Sequence, residues 1–106
     1  MIRHITLWKL KDFACGNDKE TNYQISRKMS FEVAKKFPKL LRTEVGRGIK
    51  VGGQNYDMCN ILEFACREDL EEFLASPIHQ EAHAFNAEIR AERAVIDYVV
   101  DEDQGE

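Results

Sequence analysis

The chain has little that would tie it to a membrane, to nucleic acid or to an oxidising compartment. No run approaches the roughly 20 apolar residues a spanning helix needs, and no apolar signal segment stands near the first residues. The cysteines are three, Cys15, Cys59 and Cys66, an odd number without CxxC spacing. A disulfide framework or zinc ribbon is therefore not indicated, and a reduced, cytoplasmic setting is expected. Basic residues are not in excess. Asp101, Glu102, Asp103 and Glu106 by themselves account for the net charge of −4, leaving 15 acids against 15 Lys and Arg in the body. A nucleic-acid binder would show a basic surplus, so neither nucleic acid nor membrane is expected as a partner. Repeats, linkers and low-complexity segments are missing as well. Only two prolines occur, and each marks a boundary: Pro38 ends one helical pattern and Pro77 starts another.

What remains, at 43% hydrophobic and 32% charged, is the composition of one soluble globular domain of 106 residues. Residues 1–100 are expected to form the domain and 101–106 an acidic, solvated tail. Met1–Leu10 reads as a strand with Ile2, His4, Thr6, Trp8 and Leu10 on one face and Arg3, Ile5, Leu7 and Lys9 on the other. Both faces are apolar at the centre, so both are expected to be covered. Phe13–Glu20 reads as a loop and Thr21 as a helix cap; Ile25, Met29, Val33 and Phe37 then recur every fourth residue, an amphipathic helix with its core stripe. Leu40–Val51, a Gly52-Gly53 turn and Tyr56–Ala65 read as strand, turn, strand. Asn60 and Glu63 interrupt the second of these and point to opposite faces, so each is expected to need a polar partner unless the strand lies near a wet edge.

Arg67–Ala75 is helical and acidic in its first turn, with Leu70, Phe73 and Leu74 on one side. Ser76 then caps a second helix whose first residue is Pro77, with Ile78, Ala82, Phe85 and Ile89 as its stripe. Ala94–Val100 closes the chain as a strand. The order β-α-β-β-α-α-β is the split β-α-β pattern of ferredoxin-like α+β folds: a four-stranded antiparallel sheet with helices on one face. The other face must find a partner, and the economical one is a second copy, giving a homodimeric α+β barrel.

Chemistry is concentrated at two places. His79 and His83 stand one turn apart at the start of the second helix, and at this position the helix dipole disfavours an imidazolium, leaving His79 a neutral base or ligand. His4 shares a strand face with Trp8. A metal held by His79 and His83 with His4 or Glu63 is one reading, weakened because Gln80 stands where a His-Glu-x-x-His motif has glutamate. The bland readings are a core histidine at position 4, a helix-end histidine at 79 and a solvated one at 83.

The segments Met1–Ile5 and Leu7–Asp12, then Glu44-Val45-Gly46-Arg47, Tyr56-Asp57, Phe64, Ser76-Pro77-Ile78-His79 and Ile96-Asp97-Tyr98 resemble, in order and over nearly the whole chain to Val100, the stress-responsive A/B barrel (Dabb) family. The resemblance implies the same dimeric ferredoxin-like barrel and no cofactor. One plant relative is a polyketide cyclase acting by intramolecular aldol condensation. Its first-strand histidine and the histidine of its proline block correspond to His4 and His79; a further pocket histidine falls at Met58, a pocket tyrosine at Phe73, and Tyr23 is a candidate for its remaining tyrosine. Ser76 stands where the family has the first histidine of a His-Pro-x-His block. On this basis His4 and His79 are the candidate catalytic pair, Trp8, Met58, Phe73 and Phe85 the candidate ligand-binding residues, and the ligand a small apolar or carbonyl compound. The alternative is a non-catalytic dimeric stress or scaffold protein. Monooxygenase chemistry, known in other dimeric α+β barrels, has only the fold in its favour.

Overall fold

The computed structural model describes residues 1–100; the acidic segment 101–106 lies outside the described residues. Strand β1 (Ile2–Leu10) leads to a short hairpin, β2 (Phe13–Ala14) and β3 (Asn17–Asp18), then helix α1 (Lys19–Lys36), strands β4 (Leu40–Arg47) and β5 (Met58–Phe64), helices α2 (Arg67–Ala75) and α3 (Pro77–Ile89), and strand β6 (Arg90–Val99). The main sheet has the order β4-β5-β1-β6 and every pair is antiparallel. This is the ferredoxin-like α+β fold, with one sheet layer and one helix layer in a body only 17 Å thick.

Strand β1 alternates as expected. Ile2, His4, Thr6, Trp8 and Leu10 are buried under the helices, whereas the odd positions are half-covered. Two apolar clusters fill the space between the layers. Phe64 and Phe73 anchor the first with Ile2, Phe37, Leu40, Leu62 and Leu70; Trp8, Leu10, Tyr23, Met58 and Ile89 form the second, with Phe85 packed against it. Phe73 meets Phe37 edge-on at 5.2 Å between ring centroids, a geometry favoured by the ring quadrupoles.

Helix α1 departs from the expected stripe. Asp18, not Thr21, is the cap: its carboxylate accepts the Thr21 N–H at 2.8 Å. The helix buries Asn22, Tyr23 and Ser26, while Ile25, Met29 and Val33 lie at the rim. Helix α3 buries Ala82 and Ile89 of its expected stripe, but adds Asn86 and leaves Ile78 and Phe85 half-buried. The reason is a polar seam. Ser26 Oγ donates to Asn86 Oδ1 at 2.9 Å, Asn22 Nδ2 donates to the Ala14 carbonyl at 2.9 Å, and Asn60 Nδ2 donates to Ser30 Oγ at 3.1 Å. Short side chains at every fourth position let α1 approach closely, and paired hydrogen bonds offset their burial.

The opposite sheet face carries Ile5, Leu7, Ile61, Ala94 and Ile96, with Ile96 58% exposed. Glu63 lies on this face, buried between Arg3 (2.9 Å) and Arg42 (3.1 Å). Burial pushes its carboxyl up, but the hydrogen bonds from Arg3 and Arg42 outweigh that and hold it below the usual range. Asn60 and Glu63 thus do take opposite faces, each with a partner, and β5 is an interior strand rather than a wet edge. Cys59 and Cys66 are half-buried rather than enclosed, and Cys15 is exposed.

Candidate functional site

Helix α3 starts where α2 ends. Ser76 Oγ donates to the Phe73 carbonyl (2.7 Å) and accepts from the His79 N–H (3.2 Å), so one side chain closes the first helix and opens the second. His79, at the third helical position, is thereby held against the sheet layer. Its ring packs on Phe73 at 5.0 Å between centroids and lies 5.8 Å from His83. Burial, with smaller contributions from the charges of His83, His4, Arg93 and Arg90, pushes its imidazole down to about 4. At neutral pH His79 is an uncharged base.

His4 faces the same space from the centre of β1. Its ring Nδ1 is hydrogen-bonded to the carboxylate of Asp97, its direct neighbour across the β1–β6 pair. A carboxylate only accepts, so Nδ1 carries the proton and Nε2 is left for the cavity that His4 lines. Asp97 was not among the sequence-derived candidates. The signal was available, since both residues sit on the helix-facing side of neighbouring strands, but it required the β1–β6 register.

Between the helix and sheet layers lies a cavity of about 50 Å³ reached by His4, Trp8, Asn60, Phe73, His79 and Arg90, among others. Four of the six sequence candidates, His4, His79, Trp8 and Phe73, meet there. Met58 and Phe85 do not: both pack in the second apolar cluster. Within the cavity lining, Trp8 Nε1 and Asn60 Oδ1 are buried without a hydrogen-bond partner among the described residues. Such a donor and acceptor call for a ligand or bound water. At 10–15 Å³ per water, the volume admits on the order of four waters, or a few heavy atoms of a small molecule. His83 lines the same space, so it is a wall residue rather than a solvated bystander. Glu63 cannot complete a metal site with the histidines, because it projects from the other face of the sheet; no metal-binding cluster is found among the described residues.

Comparison with known proteins places this geometry. A dimeric protein of unknown function with ferredoxin-like fold from Bacteroides fragilis is 24% identical, with 93% of this chain and 95% of that one covered and a TM-score of 0.79. A Dabb family protein from Mesorhizobium loti is 22% identical over 93% of this chain and 95% of its own, with a TM-score of 0.65. The hydroxynitrile lyase from Passiflora edulis is 14% identical over 95% and 94%, with a TM-score of 0.81. At these identities the likeness is one of fold. No curated protein matches the chain. The family description "Stress responsive A/B Barrel Domain" matches residues 2–100, and with nearly the whole chain covered, the protein belongs to the stress-responsive A/B barrel (Dabb) family.

Proposed function

We propose that this protein binds a small carbonyl compound between His4 and His79 and acts on it by acid–base chemistry, as a cyclase-, lyase- or isomerase-like enzyme. The observation that carries the reading is the pairing of unlike imidazoles around one cavity: a neutral, half-buried His79, and a His4 oriented by Asp97. A proton beside a carbonyl is removed by an uncharged base held within reach of it, and the developing enolate oxygen requires a fixed donor. His79 serves as the base. The Trp8 N–H is a candidate donor, and Asp97 fixes the His4 ring so that Nε2 is left to accept a hydrogen bond from the substrate. The occurrence of a hydroxynitrile lyase on this fold supports lyase chemistry as compatible with it. Residue exchange at Met58 and Phe73 argues against the specific cyclase reaction.

The functional unit in this reading is a homodimer formed through the open sheet face, whose uncovered Ile5, Leu7, Ile61 and Ile96 would be buried against the same residues of a second copy. Several fold neighbours are described as dimeric. A single monomeric species in analytical ultracentrifugation at micromolar concentration would refute it. The small cavity favours one rival, a non-catalytic scaffold protein. Thermal-shift screening of carbonyl and phenolic compounds, with His4→Ala and His79→Ala beside wild type, separates them: stabilisation lost in both variants supports the site, and hits unaffected by either variant remove the histidines from it.

A further inference from the structure

No acid lines the cavity; its charges are the two guanidiniums of Arg90 and Arg93 with three histidines around them. Elsewhere most arginines are matched: Arg3 and Arg42 with Glu63, Arg47 with Glu20, Arg67 with Glu71; Arg27, without an ion pair among the described residues, lies over the Phe31 ring on the exposed side of α1. Arg90 and Arg93 have no ion pair among the described residues. Arg90, half-buried where α3 gives way to β6, lies over the Trp8 indole at 5.0 Å. Arg93 stands directly across from Trp8 in the β1–β6 register, which places it on the helix-facing side. Asp97, on the same face of β6 four residues beyond Arg93, is already engaged with His4. A cation at a helix C-terminus is favourable in itself. That explains a charge at position 90, but neither the seat on Trp8 nor the second arginine.

Resting on the carbonyl reading above, we propose that Arg90 and Arg93 form an oxyanion-holding mouth, so that the ligand is a small oxo acid: its carboxylate sits at the two guanidiniums and its carbonyl enters between His4 and His79. The dimensions agree. A cavity of about 50 Å³ takes a carbonyl end of two or three carbons and leaves the anionic end at the opening. Planar guanidiniums bind carboxylates and phosphates through paired, charge-assisted hydrogen bonds, and partial burial on an apolar ring strengthens them relative to open solvent.

The test is an NMR titration of the full chain at low ionic strength, following backbone amides and the histidine imidazole protons. The probes are pyruvate, its uncharged analogue pyruvamide, acetate and inorganic phosphate. Pyruvate is expected to bind at least about tenfold more tightly than pyruvamide. Arg90→Gln and Arg93→Gln should each weaken pyruvate about tenfold, the worth of one charge-assisted hydrogen bond, while leaving pyruvamide unchanged; Arg90→Lys, which keeps the charge but loses the planar fork, should fall between Arg90→Gln and wild type. If loss of the stacked Arg90 unfolds the chain, Arg93→Gln on the exposed edge strand carries the comparison. Equal affinity for pyruvate and pyruvamide overturns the anion site while sparing the carbonyl reading. Acetate and phosphate binding as tightly as pyruvate, with His79→Ala without effect, supports the anion site and overturns the carbonyl reading. If no probe shifts a resonance, both fall.

Discussion

The depressed basicity of His79 makes a quantitative demand on stability. In the unfolded chain its imidazole has the ordinary value of 6.5, and in the folded chain about 4. A group that protonates less readily when folded draws the equilibrium toward the unfolded state as acid is added. Stability is therefore intact above pH 6.5, falls between 6.5 and 4, and loses nothing further from this residue below 4. Linkage over the interval from pH 7 to pH 5 gives about 2 kcal/mol. Because the ring is only partly enclosed, solvent screening reduces this to about 1 kcal/mol. The assay is urea denaturation of wild type and His79→Gln at pH 7.0, 6.0 and 5.0. Carboxylates such as Glu63 titrate alike in both proteins and cancel in the difference. The expected result is a gap between the two proteins that changes by about 1 kcal/mol in favour of the variant as pH falls. Parallel curves would refute the neutral, desolvated His79 on which the proposed base rests.

Three further outcomes follow from the packing. Phe64, fully buried in the first cluster, should cost about 3–5 kcal/mol when cut to Ala, read from guanidinium denaturation midpoints; a loss near 1 would mean the cluster can collapse around the gap. Ser76→Ala removes both hydrogen bonds at the shared cap and should cost about 1 kcal/mol, seen as a Tm drop of about 5 °C. Gly48→Ala should destabilise more than Gly46→Ala in the same thermal measurement, because a Cβ at 48 meets the Tyr56 carbonyl in the backbone, whereas at 46 it meets the Cys59 Sγ at 2.9 Å, a side-chain end that can shift.

Strands and helix order were legible in the sequence because one period dominates each: the two-residue alternation of β1, and the Ser76-Pro77 boundary that separates α2 from α3. Helix rotation was less so. An apolar stripe at Ile25 and Met29 suggested the buried side of α1, yet Asn22, Ser26 and Ser30 face inward, because hydrogen bonds with the β2–β3 hairpin, α3 and β5 offset their polarity. Local periodicity counts hydrophobicity and cannot count partners supplied from distant positions. The same limit applies to the site. His4 and His79 stood out as histidines in strand and helix-start positions, whereas Asp97 and the two arginines acquire meaning only through strand register. Met58 and Phe85 were placed by correspondence and by stripe respectively, and both belong to the packing beneath Trp8.

The single-residue junction between α2 and α3 has a consequence for how the chain can change in length. With Ser76 serving both helices there is no slack to absorb an insertion. One added residue advances α3 by about 100° and 1.5 Å, turning His79 off the cavity, bringing a neighbouring side chain round in its place and breaking the Ser26–Asn86 contact further along the same helix face. The loop at Gly48–Asp57, which bears no such phase relation to the site, can lengthen freely. Size variation should accordingly gather there, while the spacing between Phe73 and Asn86 stays fixed like the teeth of a gear.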